Sequence, residues 1–401
     1  MSLLKLVIKS LLQHRVSTLV TVLSLALASG LVLTVWILQV QSRQVFSESN
    51  SGFDAVLGAR GSSLQLVLNS VFHMDQSTGN IDWQDYLDIA ADRRVSRAIP
   101  IAVGDNLYGY RIVGTTTNIF ANPAVEKSPG FRVANGRPFK ANHREAVIGS
   151  FIASKIKGLT VGSTFKPYHG LRFDENEQHA ETYVVTGILE PTNSPADRAI
   201  WIPLAGVQNM EGHAAAERDR ISAVLLNLHS PAMGQMLNIQ YNRQGNRLTF
   251  AFPIAAIVAD LFNKVSWLDR LLQGIAVLVG VVAVASVLAS VYNSMNERKR
   301  DIAIMRALGA RKSTIFSLIL WECGLIGFLG AMLGFLVYFG LFGAGAAILR
   351  EKTGIVLSLG FFHISMVWTP VLMVVASIVA GLVPAVKAYR SPVAENLIPI
   401  A

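Results

Sequence analysis

The sequence predicts a membrane protein with four transmembrane α-helices and a large α+β extracytoplasmic domain between helices one and two. Three observations lead there. The composition, 52% hydrophobic and 15% charged, is too apolar for an ordinary soluble chain. The excess is gathered into four runs, residues 16–40, 271–293, 314–349 and 366–386. Each reaches the roughly 20 residues a helix needs to cross a hydrocarbon core. The charge is uneven as well. Residues 1–15, 294–313 and 387–401 hold eleven Lys and Arg against three acids, whereas residues 41–266 hold 21 against 20. Basic loops stay on the cytoplasmic side. The termini and the 294–313 connector are therefore expected inside, with 41–270 and the short 350–365 segment outside.

Residues 1–15 alternate apolar and basic positions with a helical period, as an interfacial helix would. A continuation of the first span fits the pattern equally well. Ala26-Leu27-Ala28 resembles a cleavage site, but the apolar run continues through Ile37. That exceeds a signal-peptide core of about 7–15 residues and predicts an uncleaved anchor. In the external domain, residues 81–90 read as a helix with Asp82 as its N-cap. Residues 103–115, 145–149, 181–189, 199–203 and 221–228 read as short strands. Further helices are expected at 204–210 and 254–268, the second running into the second span as a stalk. Residues 54–69 read as an apolar, helix-like run at the domain base or along a surface for amphiphilic cargo. Polar residues 168–180 and 229–247 are expected to be mobile loops.

The spans carry few chemical groups. Glu322 is the acid inside an apolar run, expected to snorkel or pair with a cation. Gly327 with Ala331, and Gly330 with Gly334, are small residues four apart, a spacing that lets helices approach closely. Gly340, Gly343 and Gly345 are expected to break the outer end of the third span. The single cysteine, Cys323, lies within that span, so no internal disulfide can form.

Several function classes are excluded or left without support. Gly162-Ser163-Thr164-Phe165-Lys166 lacks phosphate-loop spacing, and no cofactor site is expected within this chain. No catalytic constellation stands out, so no enzymatic chemistry is expected. The external histidines (His73, His143, His169, His179, His213, His229) form no metal-binding motif. His169 and His179 with Asp174, Glu175 and Glu177 form a polar loop that could attract a divalent metal, but the spacing favours a solvated loop and no metal is expected. The basic pI is explained by the inner-face charges, which suit anionic lipid and a protein partner rather than nucleic acid.

The connector Asn296-Glu-Arg-Lys-Arg-Asp-Ile-Ala-Ile-Met-Arg-Ala-Leu-Gly-Ala-Arg-Lys312 is the most specific segment. As a helix it would align Ile302, Met305 and Leu308 in one stripe, stop at Gly309 and leave Ser313 to cap the third span. Read bare, it could be a basic loop that only sets topology. With Trp321-Glu322, the Gly-rich third span and the tail Gly381-Leu-Val-Pro384-Ala-Val-Lys-Ala-Tyr-Arg-Ser-Pro-Val393, it resembles the FtsX/MacB/LolC-type permeases of ABC systems.

The resemblance implies that the connector is a coupling helix, with Glu297, Arg298, Arg300, Asp301, Arg306 and Gly309 at the matching positions. Glu322, Gly327, Gly330, Gly334 and Pro384 are expected to serve helix packing. It also implies ATP and Mg²⁺ on a separate cytoplasmic ABC ATPase, a second permease copy or paralogue, and a Gram-negative inner membrane. A periplasmic adaptor or substrate-binding partner is a further candidate. The expected function is mechanotransmission that exports or extracts a lipoprotein, peptide or hydrophobic compound. An FtsX-like regulator that transports nothing and an ATP-independent scaffold are the alternatives.

Overall fold

The computed structural model describes residues 3–48, 52–74, 76–121, 130–171, 173–210 and 219–390. His213 and the Ser391-Pro392-Val393 end of the C-terminal motif lie outside that set. The chain divides into a helical unit (Met1–Ser42, Val265–Ala347, Ser358–Ala401) and a mixed unit (Arg43–Lys264, Ile348–Leu357).

In chain order, α1 (Leu3–Gln13) and α2 (Arg15–Glu48) precede β1 (Ala55–Ala59), α3 (Ser63–Ser70), β2 (Ile81–Asp82), α4 (Trp83–Ala90), β3 (Val95–Leu107) and β4 (Tyr110–Thr115). There follow β5 (Val133–Gly136), β6 (Glu145–Ile148), α5 (Ser150–Lys155), β7 (Thr164–Phe165), β8 (Tyr168–His169), β9 (Tyr183–Leu189), β10 (Ile200–Pro203) and α6 (Leu204–Gln208). The mixed unit continues with β11 (Arg220–Ile221), β12 (Ala223–Leu228), α7 (Pro231–Ile239) and β13 (Leu248–Ala251). Last come α8 (Ile254–Glu297), α9 (Lys299–Ala307), α10 (Lys312–Thr353) and α11 (Ser365–Arg390).

Four helices, α2, α8, α10 and α11, are long and apolar enough to cross a membrane. The 44 residues of α8 would extend about 66 Å, more than twice a hydrocarbon core of about 30 Å. Within the helical unit, apolar residues at helical spacing meet in one core. Val287, Val291 and Met295 of α8 pack with Ile315, Ile319 and Cys323 of α10, and with Ala385 and Ala388 of α11. Val7 and Leu11 of α1 join them, so the N-terminal helix buries its apolar face in this bundle. Helix α10 runs unbroken through Gly340, Gly343 and Gly345, contrary to the expected break. In a long apolar helix the intact backbone ladder outweighs glycine's low propensity, because nothing else would satisfy the freed groups. It also begins at Lys312, so Ser313 is a first-turn residue and does not cap it.

The mixed unit is built on one large sheet in the order β13-β1-β12-β3-β4-β10-β6-β9-β5, with β8 added on β3 and β7 on β9, beside a two-stranded sheet of β11 and β2. Pairings are antiparallel except β10 with β4 and β6 with β9. Side chains alternate between the two faces of a strand. Ile200 and Ile202 of β10 enter one core while Trp201 enters the other, and Leu57 and Val56 of β1 divide the same way. Residues 54–69 are therefore a buried strand followed by a helix, with Ser62 capping α3, rather than one helical run. Gly58 permits the crossing, since a Cβ there would strike Leu66.

Both segments expected to be mobile loops are structured. Tyr168 and His169 form β8, and residues 229–247 contain α7 and a wide helical turn, Gln240–Gln244. Asn242 anchors that turn to β13, donating to the Phe250 carbonyl at 2.7 Å and accepting from its amide at 3.0 Å.

Residues Ile348–Leu357 belong to the mixed unit. Within it Lys155 pairs with Glu351 at 2.5 Å, and Arg198 donates to the Lys352 carbonyl. Asn193 accepts from the Val356 amide at 2.7 Å. Gly354 turns the chain at φ +78°, and a Cβ there would lie 2.9 Å from the Arg198 side chain. The last turn of α10 is thus held on the mixed unit by charge-assisted and backbone bonds.

Candidate coupling site

The backbone breaks between α8 and α9 at Arg298 (φ −103°, ψ 13°), whose amide returns to the Ser294 carbonyl at 3.1 Å. Helix α9 ends in a Schellman-type stop: the Ala310 amide bonds to the Met305 carbonyl at 3.0 Å, and Gly309 sits at φ +100°. That left-handed conformation strains any residue with a Cβ, which explains glycine at this position.

Helix α9 has two unlike faces. Ala303 is buried, and Ile302 and Met305 pack on the bundle core. Leu308 departs from the stripe expected of it and is 84% exposed. At the last turn it has rotated with Arg300, Asp301 and Ile304 onto the outer face, within about 100° of arc at 100° per residue. Glu297 is exposed and within 3.2 Å of His14, and Arg306 is half-buried.

Arg298 does not share the outer face. Its guanidinium donates to Ser10 Oγ at 2.6 Å and lies 3.4 Å from Glu322 Oε2. Ser10 in turn donates to Glu322 Oε1 at 2.7 Å. Three segments distant in sequence therefore close one polar triad: α1, the α8–α9 junction and α10. Glu322 is 5% exposed, and these two partners satisfy its buried oxygens. Removing one member of such a pair costs about 3–5 kcal/mol, because the other is left buried and uncompensated. Sequence reasoning missed Ser10. The available signal was its place beside Val7 and Leu11 on one face of α1.

The small residues of α10 fit the other spans of the same chain. A Cβ on Gly330 would lie 2.5 Å from Leu25 Cβ, and one on Gly334 would overlap Ser29 of α2. One on Gly327 would come within 2.8 Å of Ser377 and 3.1 Å of Val374 Cα in α11. Pro384 is buried in α11, near whose end Lys387 meets Tyr292 and Tyr389 stacks under Lys312. These contacts pack α10 closely against α2 and α11.

Four spanning helices, a large mixed domain after the first and a two-faced connector helix after the second define a multi-pass permease-type membrane protein. A family model of the FtsX-like permease C-terminal region matches residues 274–393, and one of the MacB-like periplasmic core domain matches residues 18–238. The chain belongs to the MacB-like, FtsX-type family of ABC transporter permeases. It is 24% identical to the macrolide export ATP-binding/permease protein MacB of Hahella chejuensis, over 96% of this chain and 58% of that protein. It is 25% identical to the pyoverdine export ATP-binding/permease protein PvdT of Pseudomonas syringae pv. syringae, over 68% of this chain and 41% of that one. The chain thus spans about half the length of the curated relatives it matches. The periplasmic region of MacB from Actinobacillus actinomycetemcomitans aligns with a TM-score of 0.34 at 10% identity, over 53% of this chain and 95% of that one.

Proposed function

We propose that this protein is the permease of an ABC exporter, and that α9 couples ATP hydrolysis to movement of the mixed domain. The observation that carries the reading is the division of α9 into an inner face packed on the bundle and an outer face of Arg300, Asp301, Ile304 and Leu308. An exposed leucine among charges suits a protein partner better than lipid headgroups. The partner is an ABC ATP-binding unit in the cytoplasm, where the ATP and Mg²⁺ would bind, since residues 1–401 contain no phosphate loop. The eleven inner-face cations support a cytoplasmic location for both termini and the connector, with the mixed domain in the periplasm.

Force on α9 would pass through Arg298 to Glu322 and Ser10, and so to α10 and α1. Helix α10 ends in the residues held by Lys155, Asn193 and Arg198 in the mixed unit, a route to that domain independent of the stalk helices. Among the described residues of the apolar spans Glu322 is the buried acid, which favours motion of the external domain over a hydrophilic conduit as the output. Two relatives carry macrolide and pyoverdine export in their names, which favours an amphiphilic or membrane-derived cargo. The test is affinity purification in mild detergent with ATPase assay and mass spectrometry, beside the Arg300→Glu/Arg306→Glu variant. The wild type should retain an ABC ATP-binding protein that the folded variant loses. Equal retention by both would refute α9 as the docking element.

A further inference from the structure

The loop histidines do not consort with the acids next to them in sequence. Asp174, Glu175 and Glu177 are exposed, and Asp174 is engaged in its own turn, accepting from the Asn176 amide at 2.9 Å. The hairpin folds back onto β3 instead. Asp105 and His169 are register partners across β3 and β8. The His169 amide donates to the Glu177 carbonyl at 2.8 Å, and the His179 amide to the Pro167 carbonyl at 2.9 Å. Buried Asn106 fastens the hairpin from below, donating to the Gly170 carbonyl at 3.0 Å. A bulge between Val103 and Asp105 precedes the cluster, the kind of irregularity that re-aims a strand side chain.

One donor atom each from Asp105, His169 and His179 lies within 4.8 Å of the others. His179 Nε2 is 3.1 Å from Asp105 Oδ1, and His169 Nδ1 is 3.5 Å from the same oxygen. Tetrahedral zinc, with bonds of about 2.0–2.1 Å, sets its ligand atoms about 3.3 Å apart. Two edges of such a site are therefore already in place. Asp105 is fully buried and His179 nearly so, while the His169 side chain is 48% exposed, leaving a path from solvent. Calcium and magnesium select all-oxygen sites; two imidazoles with one carboxylate select a borderline ion.

We infer that Asp105, His169 and His179 form a zinc site that clasps the 168–179 hairpin to the central sheet. The fourth position is taken by water. Binding joins residues 64 and more positions apart in the chain, so zinc rigidifies this end of the domain.

The test uses the full chain in detergent without a histidine tag, stripped with EDTA and titrated with ZnCl₂ by calorimetry, with metal analysis after desalting. One zinc per chain is expected, with a rise in unfolding temperature on binding and no saturable response to Mg²⁺. His169→Ala, at a half-exposed position, should keep the fold and weaken zinc binding at least about tenfold. Asp105→Asn should do the same wherever it folds. Absence of stoichiometric zinc in the wild type, or wild-type affinity in His169→Ala, would overturn the site and leave a His–Asp hydrogen-bonded contact.

Discussion

Glu322 and Asp105 are both carboxylates withdrawn from solvent, one in the helical unit and one in the mixed unit, and their partners give them opposite uses. Glu322 faces a guanidinium and a hydroxyl. Arginine keeps its proton and has no lone pair to offer, so that cluster can tie segments together but cannot ligate a metal. Asp105 faces two imidazoles, each with a ring nitrogen whose lone pair can be offered to a metal ion. Comparable burial thus yields a permanent mechanical tie in one place and a chemically addressable clasp in the other. The identity of the partner, more than the depth of the acid, decides the outcome.

The largest effect should come from breaking the tie. Glu322→Ala strands Arg298 and should lower stability by about 3–5 kcal/mol, read as a fall in unfolding temperature in detergent. Arg298→Met with Glu322→Leu should recover most of that loss, since an apolar pair needs no compensation. If the double variant is no more stable than the single one, the triad is not what holds these segments.

The apolar surroundings of the tie can be tested next. Gly330→Val places branched carbons where Cβ alone would already lie 2.5 Å from Leu25 Cβ. Overpacking of this kind costs about 1–3 kcal/mol, and Gly340→Val, where nothing lies within 4 Å of a Cβ, should cost much less. Equal losses at the two glycines would contradict the close approach of α2 and α10.

His73 sharpens the comparison from the other side, as a buried imidazole whose charged neighbours are cations. Burial first, then Arg111 and Arg198, hold it down at about 3 from its ordinary 6.5. Its ring packs edge-on to Trp201 at 5.3 Å in the neutral form. The unfolded chain takes up a proton below pH 6.5 that the folded chain refuses until about pH 3, so stability is full above 6.5 and falls as pH drops through that window. Unfolding temperature should decline with acidification in the wild type and decline less steeply in His73→Gln. Parallel slopes would show that His73 is not the group responsible.

The smallest effect on stability belongs to the outer face of α9. Arg300→Glu should stay within about 0.5 kcal/mol of the wild type, as surface substitutions do, while abolishing retention of the ATP-binding partner. A large loss of stability would mean that Arg300 serves the bundle instead of an interface.

What could be read from the sequence follows from the range of the forces involved. The four spans were legible because hydrophobic length is a local quantity, and the stop at Gly309 because a left-handed residue has few substitutes. The alternating strands at 145–148 and 200–203 were legible for the same local reason. Less visible was anything assembled from distant parts. Ser10 and Glu322 are separated by 312 residues, and Asp105 and His179 by 74, so a pattern that marks one end does not name its partner. Residues 348–357 read as a span end and a short loop, because their partners Lys155, Asn193 and Arg198 lie in the preceding domain. Leu308 fitted an inward stripe by spacing, yet its place in the final turn before Gly309 turned it outward.

The most direct measurement is cross-linking from position 308 in native membranes. Cys323 is fully buried and silent, so a Leu308→Cys copy presents one accessible thiol for a short bifunctional maleimide. The account predicts an adduct with an ABC ATP-binding protein, identified by mass spectrometry and lost in the Arg300→Glu background. A freely labelled thiol that never joins such a protein, in membranes where the transport system is active, would contradict it.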